Sequence, residues 1–133
     1  MVGQQTRASY LSAYAGVDIV LDTFPYPGGT TTAEALWMGV PTLTLALPGM
    51  LGRQGEAMLG ALGLDEWIAR SEDDYVSAAI AWGRADRSAL EQLAELRAGL
   101  RQRATHSPLF DAPRFARDFE RALQQLWQTR DRE

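Results

Sequence analysis

The stretch Leu21-Asp22-Thr23-Phe24-Pro25-Tyr26-Pro27-Gly28-Gly29-Thr30-Thr31-Thr32-Ala33-Glu34-Ala35-Leu36-Trp37 decides how this chain is read. The apolar run Asp18-Ile19-Val20-Leu21 reads as a short buried strand. It leads into a Pro/Gly loop, and the loop opens onto hydroxyl side chains that begin an amphipathic helix. A helix start leaves backbone N–H groups unpaired and carries about half a positive charge, so it is a natural seat for phosphate. Gly28 and Gly29 allow a ligand close to the backbone, and Thr30, Thr31 and Thr32 add donors. Spacing alone also permits a plainer reading. Thr31-Thr32-Ala33-Glu34 has the form of a capping box, in which Glu34 reaches back to the helix start, and Gly28-Gly29 can serve as a tight turn.

Working outward, Ala8 to Val17 places Leu11, Tyr14 and Ala15 at helical spacing ahead of the first strand. After the loop, Ala33, Leu36, Trp37 and Val40 form the stripe of a helix packed on a sheet, which Gly39 ends. Pro41 opens a second strand, Thr42-Leu43-Thr44-Leu45. Pro48-Gly49 reads as a turn, and Arg53 to Leu62 as a further helix. Two strands separated by a helix of this length predict a βαβ unit in a parallel sheet. Glu66-Trp67-Ile68-Ala69 is a candidate edge strand, and Ser71-Glu72-Asp73-Asp74 a capping box for a helix from Tyr75 to Arg84. The C-terminal half reads as helical. Leu90, Leu93, Leu96 and Leu100 mark a helix from Ser88 to Ala104; Phe115, Phe119, Ala122, Leu123 and Leu126 mark the last one. Asp111 is its expected N-cap, and the charged tail past Trp127 is expected to fray. No internal repeat or low-complexity tract is visible.

At 133 residues the chain suits one domain with a real core. Hydrophobic content of 46% with 23% charged residues fits a globular protein. A net charge of -4 gives no basic surface for a phosphodiester backbone, so nucleic acid is not an expected partner. All 13 positive side chains are Arg, a planar fork suited to phosphate. With no Cys there are no disulfides, thiolate metal sites or cysteine nucleophile. The polar N-terminus Met1 to Arg7 lacks the apolar core of a signal peptide, and no run is long enough to span a bilayer. The expected location is cytoplasmic, with no membrane partner. Two firm strands and a doubtful third are fewer than a complete doubly wound domain carries. The chain is therefore expected to be part of something larger, or to have lost N-terminal sequence to a misplaced start codon.

Asp22-Thr23-Phe24-Pro25-Tyr26-Pro27-Gly28-Gly29-Thr30-Thr31-Thr32-Ala33-Glu34-Ala35-Leu36-Trp37-Met38-Gly39-Val40-Pro41 resembles the nucleotide-sugar loop of O-GlcNAc transferases and the related Spindly-type protein O-fucosyltransferases. Glu66-Trp67-Ile68-Ala69-Arg70-Ser71, Tyr75 and Ser107-Pro108-Leu109-Phe110-Asp111 follow in that family's order, so the resemblance covers nearly the whole chain. It implies an α/β fold: a partial Rossmann-like parallel sheet, the C-terminal half of a GT-B architecture, flanked by helices and ending in a helical C-terminus. Residues 1–133 would be the nucleotide-sugar-binding part. Position by position, it implies that Gly29, Thr30 and Thr31 meet the diphosphate, that Glu34 meets the ribose hydroxyls, and that Tyr10 flanks the base. One departure stands out: O-GlcNAc transferases usually carry His before the two threonines, where this chain has Gly29, closer to the Spindly-type pattern. The implied substrates are a UDP- or GDP-sugar donor and a protein acceptor, with no essential cofactor or metal. Catalysis would rest on stabilising the diphosphate leaving group. Acceptor recognition and the family's phosphate-binding lysine would lie upstream.

Among the remaining polar and aromatic residues, His106 reads as a surface or capping residue and Asp22 chiefly as a loop organiser. Arg53 is open between a salt bridge and a substrate contact. Trp37, Trp67, Trp82 and Trp127 lie on apolar stripes and are expected in the core. The competing functional class is a noncatalytic nucleotide-binding or interaction module, for which exposed sheet surface would favour a homodimer.

Overall fold

The computed structural model describes residue 3 and residues 5–130. Helix α1 (Arg7–Ala13) is capped by Thr6, whose side chain accepts from the Ser9 amide, and runs out through a 3-10 turn at Tyr14–Gly16. The helix expected over Ala8 to Val17 is thus shorter. Met1, Val2 and Gln4 of the polar N-terminal stretch lie outside the described residues.

Strand β1 (Val20–Leu21) pairs in parallel with β2 (Thr42–Leu45), which pairs in parallel with β3 (Ile68–Ala69) on its other side. The register sets Val20 against Thr42 and Thr44 against Ile68. All four residues of β2 are buried, as befits the middle strand of a parallel sheet covered on both faces. The sequence Thr-Leu-Thr-Leu alternates as a strand covered on one face would, so its burial on both faces is not written in the pattern. β1 departs from expectation. Asp18 and Ile19 stay outside the ladder and Leu21 is 54% exposed, because β1 is an edge strand with no described neighbour on its outer side. β3 is the other edge, reached from a 3-10 turn at Asp65–Trp67.

Helix α2 (Thr30–Trp37) joins β1 to β2, and Gly39 at φ 78° ends it in the left-handed conformation that glycine adopts without strain. A short α3 (Gly49–Gly52), capped by Pro48, stands where a plain turn was expected, and α4 (Gln54–Ala61) follows. Helix α5 (Glu72–Gly83) starts at Ser71, whose hydroxyl accepts from the Asp74 amide at 3.1 Å. Helix α6 (Arg87–Thr105) packs on α2, and the Arg97 guanidinium reaches Asp18 at 2.8 Å. The core gathers Leu36, Leu43, Leu45, Leu59, Leu64, Trp67, Leu93 and Leu100 from the sheet and the helices around it.

Helix α7 (Ala112–Arg130) begins at Asp111, which accepts from the Arg114 amide at 2.9 Å. It stays helical to Arg130, past Trp127, and the rest of the tail expected to fray, residues 131–133, lies outside the described residues. Its apolar stripe does not enter the core: Phe115, Phe119, Leu123, Leu126 and Trp127 are all more than half exposed. Trp127 instead lies under the Arg130 guanidinium, 4.3 Å from its ring centroid. Of the other tryptophans, Trp67 is buried and stacks on Trp82, as expected of core residues. Trp37 is only partly covered, with Phe110 at its edge and Arg101 over its face. No described helix is long and apolar enough to cross a membrane.

Candidate functional site

The loop between β1 and α2 is built around one buried carboxylate. Asp22 accepts from the Gly28 amide at 2.7 Å through Oδ1 and from the Thr44 hydroxyl at 2.8 Å through Oδ2. Its carbonyl accepts from the Tyr75 hydroxyl at 2.7 Å. Burial first, and the Asp22 charge second, raise the Tyr75 pKa and keep it a donor. Gly55, near the start of α4, presses on the same group: a Cβ there would meet Thr44 Oγ1 at 2.2 Å and Asp22 Oδ2 at 3.0 Å. Asp22 is therefore the loop organiser that the sequence suggested. Phe24 closes the outside by packing edge-on against Tyr75, and Thr23 ties the turn by donating to the Tyr26 carbonyl at 2.7 Å.

This wiring divides the residues of the cradle. The Gly28 amide is spent on Asp22, and its carbonyl accepts from the Thr32 hydroxyl at 3.0 Å. Thr32 is buried, so its side chain braces the loop. Gly28 is held tightly: a Cβ would meet the hydroxyls of Thr31 and Thr32 at 2.5 and 2.7 Å. Gly29 is the N-cap of α2 and offers no side chain, and the first turn-closing bond runs from the Ala33 amide to the Gly29 carbonyl at 3.1 Å. The amides of Thr30, Thr31 and Thr32 precede that bond, at the positive end of the helix, with Thr30 and Thr31 at the surface. They sit beyond the carboxyl ends of parallel strands, where open α/β sheets bind ligands.

Glu34 does not close a capping box. The helix starts at Thr30, so Glu34 stands fifth in it, too far along to reach back to the cap. Its carboxylate pairs instead with the Arg7 guanidinium at 2.9 Å. Tyr10 lies on the same side of α1. Its hydroxyl shares a hydrogen bond of 2.8 Å with that of Tyr14, and the Tyr14 hydroxyl donates to the Thr31 carbonyl at 3.4 Å. The Tyr14 contact, then burial, with a further contribution from Glu34, raise the Tyr10 pKa, so the Tyr10 hydroxyl stays protonated. An open cleft lined by Arg7, Leu11, Thr30, Ala33, Glu34 and Trp37 runs along this face. Tyr10, Thr30, Thr31 and Glu34 thus share one neighbourhood, next to the helix cap at Gly29. Sequence reasoning missed Arg7 and Tyr14, although Arg7, Tyr10 and Tyr14 fall at i, i+3 and i+7 on one helical face.

Arg53 makes the salt bridge of its two alternatives. Its Nε lies 3.0 Å from Glu56, whose other oxygen is bound by Arg70. Arg70 first and Arg53 second hold the Glu56 carboxyl below the usual range. His106 ends α6 as an exposed C-cap, its Nδ1 donating to the Gln102 carbonyl at 2.8 Å.

The family described as glycosyl transferase family 41 matches residues 13–119. A relative from Solanum lycopersicum, described as a probable UDP-N-acetylglucosamine–peptide N-acetylglucosaminyltransferase SPINDLY, is 40% identical over 118 residues, 89% of this chain and 12% of its own. The protein of the same description from Hordeum vulgare is 43% identical over the same shares. A Caenorhabditis elegans UDP-N-acetylglucosamine–peptide N-acetylglucosaminyltransferase is 36% identical over 83% of this chain and 9% of its own. Among solved structures, a mutant O-GlcNAc transferase from Thermobaculum terrenum superposes with a TM-score of 0.80 at 35% identity, covering 96% of this chain and 24% of that one. The chain therefore spans about an eighth of the length of these plant relatives.

Proposed function

The chain belongs to glycosyl transferase family 41, and from that premise we propose that it is the donor-binding portion of a glycosyltransferase that moves a sugar from a nucleoside diphosphate to Ser or Thr hydroxyls of protein. The sugar is GlcNAc or fucose, the base uracil or guanine. The observation that carries this reading is the uncapped start of α2. There the amides of Thr30 and Thr31 stand open at the surface beside the Glu34–Arg7 pair. A diphosphate satisfies those amides, and the ribose hydroxyls compete with Arg7 for the Glu34 carboxylate.

The chemistry follows from the same geometry. Negative charge grows on the diphosphate as the glycosidic bond breaks, and amides already aimed there stabilise the leaving group without reorganising. Arg7 adds a mobile cation once ribose takes Glu34. The chain's one histidine, His106, serves as a helix cap and not as a base for the acceptor hydroxyl. The isolated polypeptide is accordingly expected to turn over little or no donor, and robust transfer of radiolabelled sugar by the pure chain refutes that expectation.

Calorimetric titration with UDP, GDP and their sugars tests the binding claim directly. Thr31→Ala and Glu34→Ala should each weaken the nucleotide that binds by about tenfold. No binding of any of the four ligands overturns the reading. The second reading is a noncatalytic interaction module. The bare apolar stripe on α7 is the feature that favours it.

A further inference from the structure

Two helix starts meet at the cradle. α2 begins at Thr30 behind Gly29, and α4 begins at Gln54 behind Arg53. The Gln54 side chain crosses the gap between them: a Cβ added to Gly29 would stand 2.8 Å from Gln54 Oε1. The carboxamide thus occupies the space that any side chain at position 29 would need. In the preceding loop Asp22, Gly28 and Thr32 are already committed, Gly28 to both of the others and Asp22 also to Thr44. Gln54, half-buried, has no hydrogen-bond partner among the described residues. An uncommitted carboxamide over a positively polarised helix start is chemically versatile. Its oxygen faces the positive end of α2, the favourable orientation. Rotation about its last side-chain bond turns the two N–H donors the same way.

Resting on the donor-binding reading above, we infer that Gln54, seated over Gly29, binds the donor's diphosphate. When phosphate oxygens take the α2 amides, the Gln54 amide group donates to them from above. Glycine at position 29 is then required, because even a methyl group there displaces the carboxamide from the ligand.

Calorimetry on the full chain with UDP, GDP, UDP-GlcNAc and GDP-fucose tests this, with thermal melts run on the same samples. Gln54→Ala should weaken the ligand that binds by about tenfold, the usual effect of losing a hydrogen bond to a charged group. Gln54→Glu, which sets a carboxylate against the diphosphate, should abolish measurable binding. Gly29→Ala should weaken binding in the natural background and make little further difference in the Gln54→Ala background. Unchanged affinity in both Gln54 variants overturns the contact and leaves the donor reading standing. A fall in melting temperature that accounts for the lost affinity overturns it too, in favour of a structural role. Failure of the unaltered chain to bind any of the four ligands overturns the donor reading, and the contact falls with it.

Discussion

The loop around Asp22 and the helix α7 are opposites: an irregular Pro/Gly segment ordered by buried polar contacts, and a regular helix with an apolar face in the open. Around Asp22 each polar group that is buried meets another within the protein: the Gly28 amide, the Thr44 and Thr32 hydroxyls and the Tyr75 hydroxyl are all engaged. On α7 a regular row of large apolar side chains faces outward, and among the described residues its main neighbour is the 3-10 turn at Pro108–Phe110. The first region derives its order from contacts between residues far apart in the chain, such as Asp22 with Tyr75. The second derives its order from local hydrogen bonds along one helix. Stability should therefore respond steeply to changes in the first region and barely to changes in the second.

The largest response is expected from Asp22→Ala. Removing the carboxylate leaves the Gly28 amide and the Thr44 hydroxyl buried without partners, a loss of about 3 kcal/mol. Urea denaturation should show it as a lower midpoint at unchanged slope. A loss below about 1 kcal/mol would mean that water replaces the carboxylate and that the loop is not organised by it. Gly55→Ala comes next. Its methyl group collides with the Thr44 side chain, and overpacking of this kind costs about 2 kcal/mol even after the gain in helix propensity. The companion variant Gly60→Ala, on the same helix with open space at its Cβ, should stabilise slightly, which isolates the collision from the propensity effect.

How much of this was legible in the sequence differs between the same two regions. The strand Thr42–Leu45, the helix stop at Gly39, the caps at Ser71 and Asp111 and the helix start at the threonines can be read from local chemistry, because caps and turns act within a few residues. The division of labour among Gly28 to Thr32 could not be read. It depends on Asp22 and Thr44 claiming one side of the loop, and neighbours across a sheet leave no mark on spacing. The fate of Glu34 turned on a single residue of helix boundary and on an arginine from α1. For α7 the periodicity gave the helix and the apolar face correctly, but a hydrophobic pattern does not say what covers it. The assignment of Trp127 to the core failed for that reason, as did the burial expected for Leu21 on the open edge of the sheet.

A smaller effect separates the rim of the cradle from its buried centre. Arg70 and Arg53 hold the Glu56 carboxyl below its usual range. The folded state therefore binds that proton less readily than the unfolded chain does. The stabilisation is complete above about pH 4.5 and is lost as pH falls through the lowered folded value. Both arginines are mostly exposed, so solvent screening limits the contribution to less than about 1 kcal/mol. Denaturation midpoints measured from pH 7 to pH 3 should fall less steeply for Glu56→Gln than for the unaltered chain. Parallel curves would show that the three-residue ion cluster adds nothing.

The smallest effect is the one that tests α7. Leu126 is 69% exposed, so Leu126→Ala removes little buried surface and places the best helix former in the middle of a helix. The expected change in stability is within about 0.5 kcal/mol at any protein concentration. A buried leucine would lose about 2–5 kcal/mol in the same substitution, so the two cases are far apart on the scale of the measurement. If a large loss were found at high protein concentration and it shrank as the protein was diluted, the stripe would be covered by a second copy of the chain in solution. If it were large but independent of concentration, α7 would fold back onto its own chain. Either result would dissolve the contrast between the two regions, because α7 would then depend on long-range contacts as Asp22 does.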